Sequence, residues 1–237
     1  MILGDTCTRA CGFCSVKTGK PTWNDPLEPI RVAQAVKKMG LRHVVITSVD
    51  RDDLKSDFGA SIWADTIKQT KKVNPGCTVE VLTPDFKGFE PALKIVFDSK
   101  PDIFSHNVEC VERISKAVRA QANWQRSLGV LEKSIQHGLR TKTGIMVGLG
   151  EEVEEVKKTM RQVVDLGVQI FTIGQYLQPT KNHLKVEEYI SKEQFELYKE
   201  YGYSIGFKVV ESGPLVRSSY HADEQARMVF NLSLIHI

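Results

Sequence analysis

No apolar run in this 237-residue chain approaches the ~20 residues a membrane-spanning helix needs, so nothing in it reads as a membrane span. Charge of one sign is equally scarce. The 32 basic and 29 acidic residues leave a formal +3, too small and too evenly mixed to argue for nucleic acid or a membrane surface. Long-period repeats and low-complexity tracts are missing, which removes solenoids and disordered linkers. Cysteines number only five, and three crowd into eight residues, unlike a secreted disulfide framework. A chain of this length buries roughly three quarters of its unfolded surface and needs no such staples. Clustered cysteines suit a reducing, cytoplasmic setting, where they bind metal or do redox chemistry. His43, His137 and His183 lack ligand-like spacing and read as surface or core residues.

Both ends read as fragment ends. Met1-Ile2-Leu3 looks like the inside of a strand only a few residues ahead of the first cysteine, leaving no room for a signal peptide. Residues 232–237 look like one reading frame of a sequencing-library adapter and are set apart as a non-native tail; residues 1–231 form the core with its C-terminal extension.

Strand-like and helix-like segments alternate along the chain. Strands are expected over 44–48, 78–82, 102–106, 143–147, 168–173 and 208–210. Helices are expected over 30–39 (closed by Gly40), 62–73, 93–97, 111–118, 128–137, 152–166 and 195–201. Crossovers of this length imply parallel strands in right-handed βαβ units. About six units point to an α/β fold, a partial (β/α)6 TIM-like barrel; a closed eight-unit barrel takes about 250 residues. In that architecture the strand C-termini carry the site.

Cys7, Cys11 and Cys14 are separated by three and then two residues, in Cys7-Thr8-Arg9-Ala10-Cys11-Gly12-Phe13-Cys14. Structural zinc sites generally use four ligands, commonly as two separated pairs. An iron–sulfur cubane normally takes four thiolates, so three close ones would leave one iron open to a small molecule. Gly12 relieves crowding where the backbone wraps the metal. A zinc knob completed by a distant Cys or His remains the plain alternative, while Cys77 and Cys110 read as buried small hydrophobes.

This spacing is the signature of the radical-SAM superfamily, and further blocks resemble the lipoyl synthases. They are Met1-Ile2-Leu3-Gly4-Asp5-Thr6-Cys7-Thr8-Arg9, Val45-Ile46-Thr47-Ser48-Val49-Asp50-Arg51-Asp52-Asp53-Leu54 and Pro84-Asp85-Phe86. His106-Asn107-Val108-Glu109, Gly148-Leu149-Gly150-Glu151, Gln175-Tyr176-Leu177-Gln178-Pro179 and Arg217-Ser218-Ser219-Tyr220-His221-Ala222 follow in order. Each block also has a bland reading: hydroxyls ending a strand at Thr47-Ser48, a solvated charged loop at 50–53, a helix N-terminal acid at Glu109 and a polar tail at 217–220. Asn107 and Glu109 alternate after a strand, so both side chains can point one way, and the pair suits ribose hydroxyls.

The resemblance implies a [4Fe–4S] cluster on Cys7, Cys11 and Cys14 that chelates S-adenosylmethionine. It places Phe13, Thr47, Ser48, Asn107, Glu109, Met146 and Gly148 on the cofactor. A serine of the 217–220 block, Ser219 in preference to Ser218, would ligate a second, auxiliary cluster whose cysteines belong to an N-terminal segment. The implied reaction inserts two sulfurs at C6 and C8 of an octanoyl group. That group rides on a lipoyl carrier domain or H protein, and a ferredoxin or flavodoxin supplies electrons. Phe58-Gly59 departs from the two glycines usual in the family, and Cys110 from a usually polar residue. The rivals are another sulfur-inserting radical enzyme similar to biotin synthase, and a non-catalytic zinc module.

Overall fold

Six short β-branched runs become six parallel strands whose order in the sheet is their order in the chain. The computed structural model describes residues 1–234. The strands are β3 (His43–Thr47), β4 (Thr78–Leu82), β5 (Ile103–Ser105), β6 (Thr141–Val147), β7 (Ile170–Gln175) and β8 (Val209–Gly213). Ahead of them, β1 (Thr6–Cys7) and β2 (Lys17–Thr18) form a separate two-stranded sheet around the cysteine loop. Helices cover the outside: α1 (Glu28–Met39), α2 (Ala60–Val73), α3 (Glu90–Asp98), α4 (Glu112–Val118), α5 (Trp124–Gln136), α6 (Val153–Asp165) and α7 (Lys192–Ser204). This is the expected partial (β/α)6 barrel. Among the described residues, no helix is long and apolar enough to cross a membrane.

The helices form where apolar residues recur at helical spacing, and each buries that stripe against the sheet. From α2, Trp63 and Ile67 pack with Val79, Val81 and Phe104; from α6, Val156, Met160 and Val163 pack with Ile145, Phe171 and Ile173. Gly40 ends α1 in the left-handed conformation at φ 63, as its position in the sequence implies.

Three features depart from the sequence reading. Met1-Ile2-Leu3 is no regular strand: Ile2 alone bridges Ser48 in parallel, and Leu3 turns away at φ 66. Phe58 takes φ 54 and Gly59 φ 86, so both positions are left-handed, a conformation that favours glycine. The half-buried Phe58 ring meets Phe89 edge-on at 5.9 Å.

The third is a helix, α8 (Ala222–Leu234), where the sequence reading placed no element. It packs against β3 and β8, the two edges of the open sheet. Ala226 and Val229 seal the floor by packing on Ile103, Ile170 and Val209 at the strand N-termini. The helix continues to Leu234, across the boundary drawn before residue 232; residues 235–237 of that expected tail lie outside the described residues.

Between β8 and α8 the chain crosses the sheet close to Gly174, where an added Cβ would strike the Val216 carbonyl. Gly174→Ala should therefore destabilise by about 1–3 kcal/mol, the cost of overpacking a tight contact. Urea unfolding checks this, and an unchanged midpoint would mean that the crossing segment has room to move.

Candidate functional site

The cysteine loop is held above the strand C-termini by hydrogen bonds from distant segments. The Thr8 N–H and hydroxyl both donate to the Asp50 carbonyl, and the Gly12 N–H donates to the Val118 carbonyl. Gln121 accepts from the Ala10 N–H at 2.6 Å, and the Leu184 N–H donates to the Gly12 carbonyl. His183 sits 3.1 Å from the Cys14 carbonyl, so it holds the loop rather than standing idle at the surface. A Cβ on Gly12 would come within 2.9 Å of the Leu184 side chain; the crowding that glycine relieves comes from the protein itself.

Beneath the loop lies a cavity of about 290 Å3 lined by Cys7, Cys11, Cys14, Phe13, Thr47, Ser48, Asn107 and Glu109, among others. A second, of about 230 Å3, shares Phe13, Leu82, Asn107 and Glu109 with it and adds Gly144, Met146, Arg217 and Ser218. Together they fall within the usual range of small-molecule sites. Both open at the C-terminal ends of the strands, where barrels of this class place their chemistry.

The charged segment 50–53 is not a solvated loop. Arg9, almost fully buried, reaches Asp50 at 3.2 Å, Asp52 at 3.0 Å and Asp85 at 2.6 Å. Arg51, also buried, pairs with Asp53 at 2.9 Å and donates to the Leu3 carbonyl. Burial alone would raise the Asp85 carboxyl, but Arg9 holds it far below the ordinary carboxylate range, and Arg126 adds a contact at 3.0 Å. Asp50 feels the same burial with weaker compensation, and its pKa is pushed up to about 6. Sequence reasoning assigned no role to Arg9, nor to Arg119, which lines the cavity and donates to the Asn107 and Val108 carbonyls.

Asn107 and Glu109 do face one space, though not through simple strand alternation. Ser105 pairs with Lys142 but Glu109 bridges Ile145, so the β5 side carries one extra residue. That is a β-bulge, a device that re-aims side chains beside active sites. Glu109 absorbs it at φ 70, a costly conformation for a residue with a side chain. Burial raises the Glu109 pKa against the pull of Arg119. Asn107 donates to the Ser218 hydroxyl at 3.0 Å, while its buried Oδ1 has no partner among the described residues.

Two of the expected site residues line neither cavity. Gly148 turns at φ 94, and a Cβ there would strike the Gln175 side chain and the Glu188 carbonyl. It packs closely on the segment after β7 and lines neither cavity. Ser219 is exposed and lines neither cavity, whereas Ser218 faces the second one. Ser48 does line the first cavity, but its hydroxyl donates to the Val49 carbonyl at 2.8 Å.

All three loop thiols are unbridged and half-buried around one cavity, yet among the described residues no group of His, Cys, Asp or Glu is gathered tightly enough for one metal ion. Burial pushes the Cys7 thiol up and Cys11 up to about 12, so a bound cation would be needed to keep them as thiolates. Cys7 Sγ already accepts the Arg9 and Asp50 N–H groups, each at 3.4 Å. Cys77 and Cys110 are buried and line neither cavity, so no fourth thiol completes a zinc site there.

The family model of the radical SAM superfamily matches residues 1–163. Lipoyl synthase of Rubrobacter xylanophilus is 58% identical over 95% of this chain and 70% of its own length. The chain belongs to the lipoyl synthase family. A Flavobacterium johnsoniae lipoyl synthase is 53% identical over 94% of the chain and 78% of its own length; the mitochondrial one of Nematostella vectensis is 53% identical over 94% and 77%. Among solved structures, Streptococcus suis SuiB bound to S-adenosylmethionine superposes with a TM-score of 0.70 at 11% identity, over 88% of this chain and 48% of that one. Methylornithine synthase gives 0.66 at 12% identity, over 92% and 72%. At that identity these structures bear on the fold alone, and the fold they share is the partial barrel. The zinc-module and biotin-synthase readings are not favoured.

Two outcomes follow from this lipoyl synthase site. Arg9→Met should destabilise by about 3–5 kcal/mol in denaturant, because it strands buried carboxylates without their cation. His106 is fully buried between the Thr83 carbonyl and the Ser127 hydroxyl, and burial lowers its pKa from 6.5 to about 4. Its neutral form is favoured on folding, so stability is intact above pH 6.5 and falls by about 1.4 kcal/mol per unit as pH drops towards 4. His106→Gln should flatten that part of a stability–pH curve.

Proposed function

We propose that Cys7, Cys11 and Cys14 hold a [4Fe–4S] cluster over the larger cavity and that the cavity takes S-adenosylmethionine. What carries the reading is that three free thiols and the Asn107–Glu109 pair, nearly a hundred residues apart, line the same space. In this reading the unpartnered Asn107 Oδ1 and the Glu109 carboxylate accept from the ribose hydroxyls. The bulge holds that carboxylate in the cavity before the ligand arrives, which removes part of the ordering cost of binding. Thr47 and Ser48 form the wall beside the thiols, and Phe13 and Met146 close the apolar sides and exclude water. Arg119 lines the same cavity as the thiols and Glu109 and fixes the bulge through two carbonyls.

When bound, the cluster and S-adenosylmethionine supply the 5′-deoxyadenosyl radical that takes hydrogen from C6 and C8 of the octanoyl group, and an auxiliary cluster supplies the two sulfurs. The substrate is read as an octanoylated lipoyl carrier domain or H protein, with a low-potential ferredoxin or flavodoxin as donor, in the cytoplasm. Ser219 is read as the auxiliary-cluster ligand. Its exposed hydroxyl has no hydrogen-bond partner among the described residues, whereas that of Ser218 accepts from Asn107.

Replacing any of the three cysteines by Ala should abolish 5′-deoxyadenosine production after anaerobic reconstitution and remove the brown iron–sulfide absorbance. Cleavage at the parent rate in any one variant would overturn the ligand assignment.

A further inference from the structure

Lys142 is fully buried on β6, inside the sheet, where lysine is almost never found without a partner. Its ammonium lies 2.9 Å from Glu80 Oε1 on β4 and donates to the Ser218 carbonyl at 2.6 Å. Glu80 is fully buried too, and His43 stands 3.5 Å from its other oxygen. A buried pair of this kind seldom stabilises more than apolar residues of the same size would. Its presence here calls for another task, and the Ser218 carbonyl shows which. The segment that crosses from β8 to α8 is tied to the sheet interior at Ser218 twice: Lys142 takes the carbonyl and Asn107 the hydroxyl.

We propose that Lys142 is a positioning residue. Neutralised by Glu80, it clamps the 217–219 turn over the second cavity through the Ser218 carbonyl, so that Ser218 is the anchor and Ser219 presents the free hydroxyl. The functional meaning of the clamp rests on the reading of Ser219 as an auxiliary-cluster ligand; the clamp itself does not, and it can be tested with no iron present.

Trypsin supplies a direct probe, because Arg217 is exposed and the bond after it leads into the clamped residue. In the metal-free full chain, Lys142→Met should speed cleavage after Arg217 and amide exchange at 218–220 by about tenfold or more. That is the factor expected from losing one charge-assisted hydrogen bond. Glu80→Gln keeps the ammonium but strands it, so it should lower the melting temperature while deprotecting 218–220 less than Lys142→Met does. The double variant Glu80→Gln/Lys142→Met removes the stranded carboxylate and should regain most of the melting temperature lost by Lys142→Met, yet stay as deprotected as that single variant.

This last result separates positioning from plain charge balance. A double variant that regains both stability and protection would overturn the clamp, as would equal deprotection by Glu80→Gln alone. Should the variants not fold, the parent still decides: a slowly exchanging Lys142 ammonium coupled by NMR to the Ser218 carbonyl supports the clamp, and a freely exchanging one overturns it. Failure of the serine reading would appear elsewhere, as Ser219→Ala that binds its full complement of iron and inserts sulfur at the parent rate while the clamp persists.

Discussion

One buried guanidinium joins the parts that make the site. Arg9 belongs to the cysteine loop, Asp50 and Asp52 to the turn after β3, and Asp85 to the turn after β4. Three carboxylates around one cation would be poor design for stability alone, since desolvation costs several kcal/mol per charge. As a geometric constraint the arrangement is economical. The fork of a guanidinium fixes angles as well as distances, and with Arg9 placed, the Thr8 and Asp50 backbones meet and Cys7 faces the cavity. The secondary ties to Val118, Leu184 and His183 then set the remainder of the loop.

Local pattern made most of the fold legible, because strand and helix periodicity is a property of neighbouring residues. The run 78–82 and the helix closed by Gly40 needed nothing from elsewhere in the chain. What escaped reading was what distant residues decide. The apolar face of α8 is a floor only once β3 and β8 are in place, so the sequence reading placed no element there. Arg9 and Asp85 are 76 positions apart, and Lys142 and Ser218 likewise, so neither contact leaves a trace in local spacing. The cysteines, Asn107 and Glu109 were legible as a family pattern, and the structure brings them to one cavity. Gly148 lies off both cavities, and a glycine that packs closely and one that admits a ligand look alike in sequence.

The interior of the sheet shows why a charged pair sits where it does. Lateral pairing carries one row of side chains from Thr47 through Leu82, Ser105 and Lys142 to Ile170 and Val209. Residues paired across neighbouring strands share a face, so this row runs obliquely from the cavity wall at Thr47 and Leu82 to the dry floor under α8 at Ile170 and Val209. Lys142 stands where the row leaves the cavity and meets the floor. An apolar residue there would pack as well but could not reach upward. A long cation can sit in the dry layer, be neutralised by Glu80 beside it and still hold a carbonyl of the crossing segment above. The floor needs α8, and α8 reaches the floor only by way of that segment. The same stretch of chain that closes the bottom of the sheet therefore delivers Ser218 to the top, and the ion pair between them keeps the two ends in register.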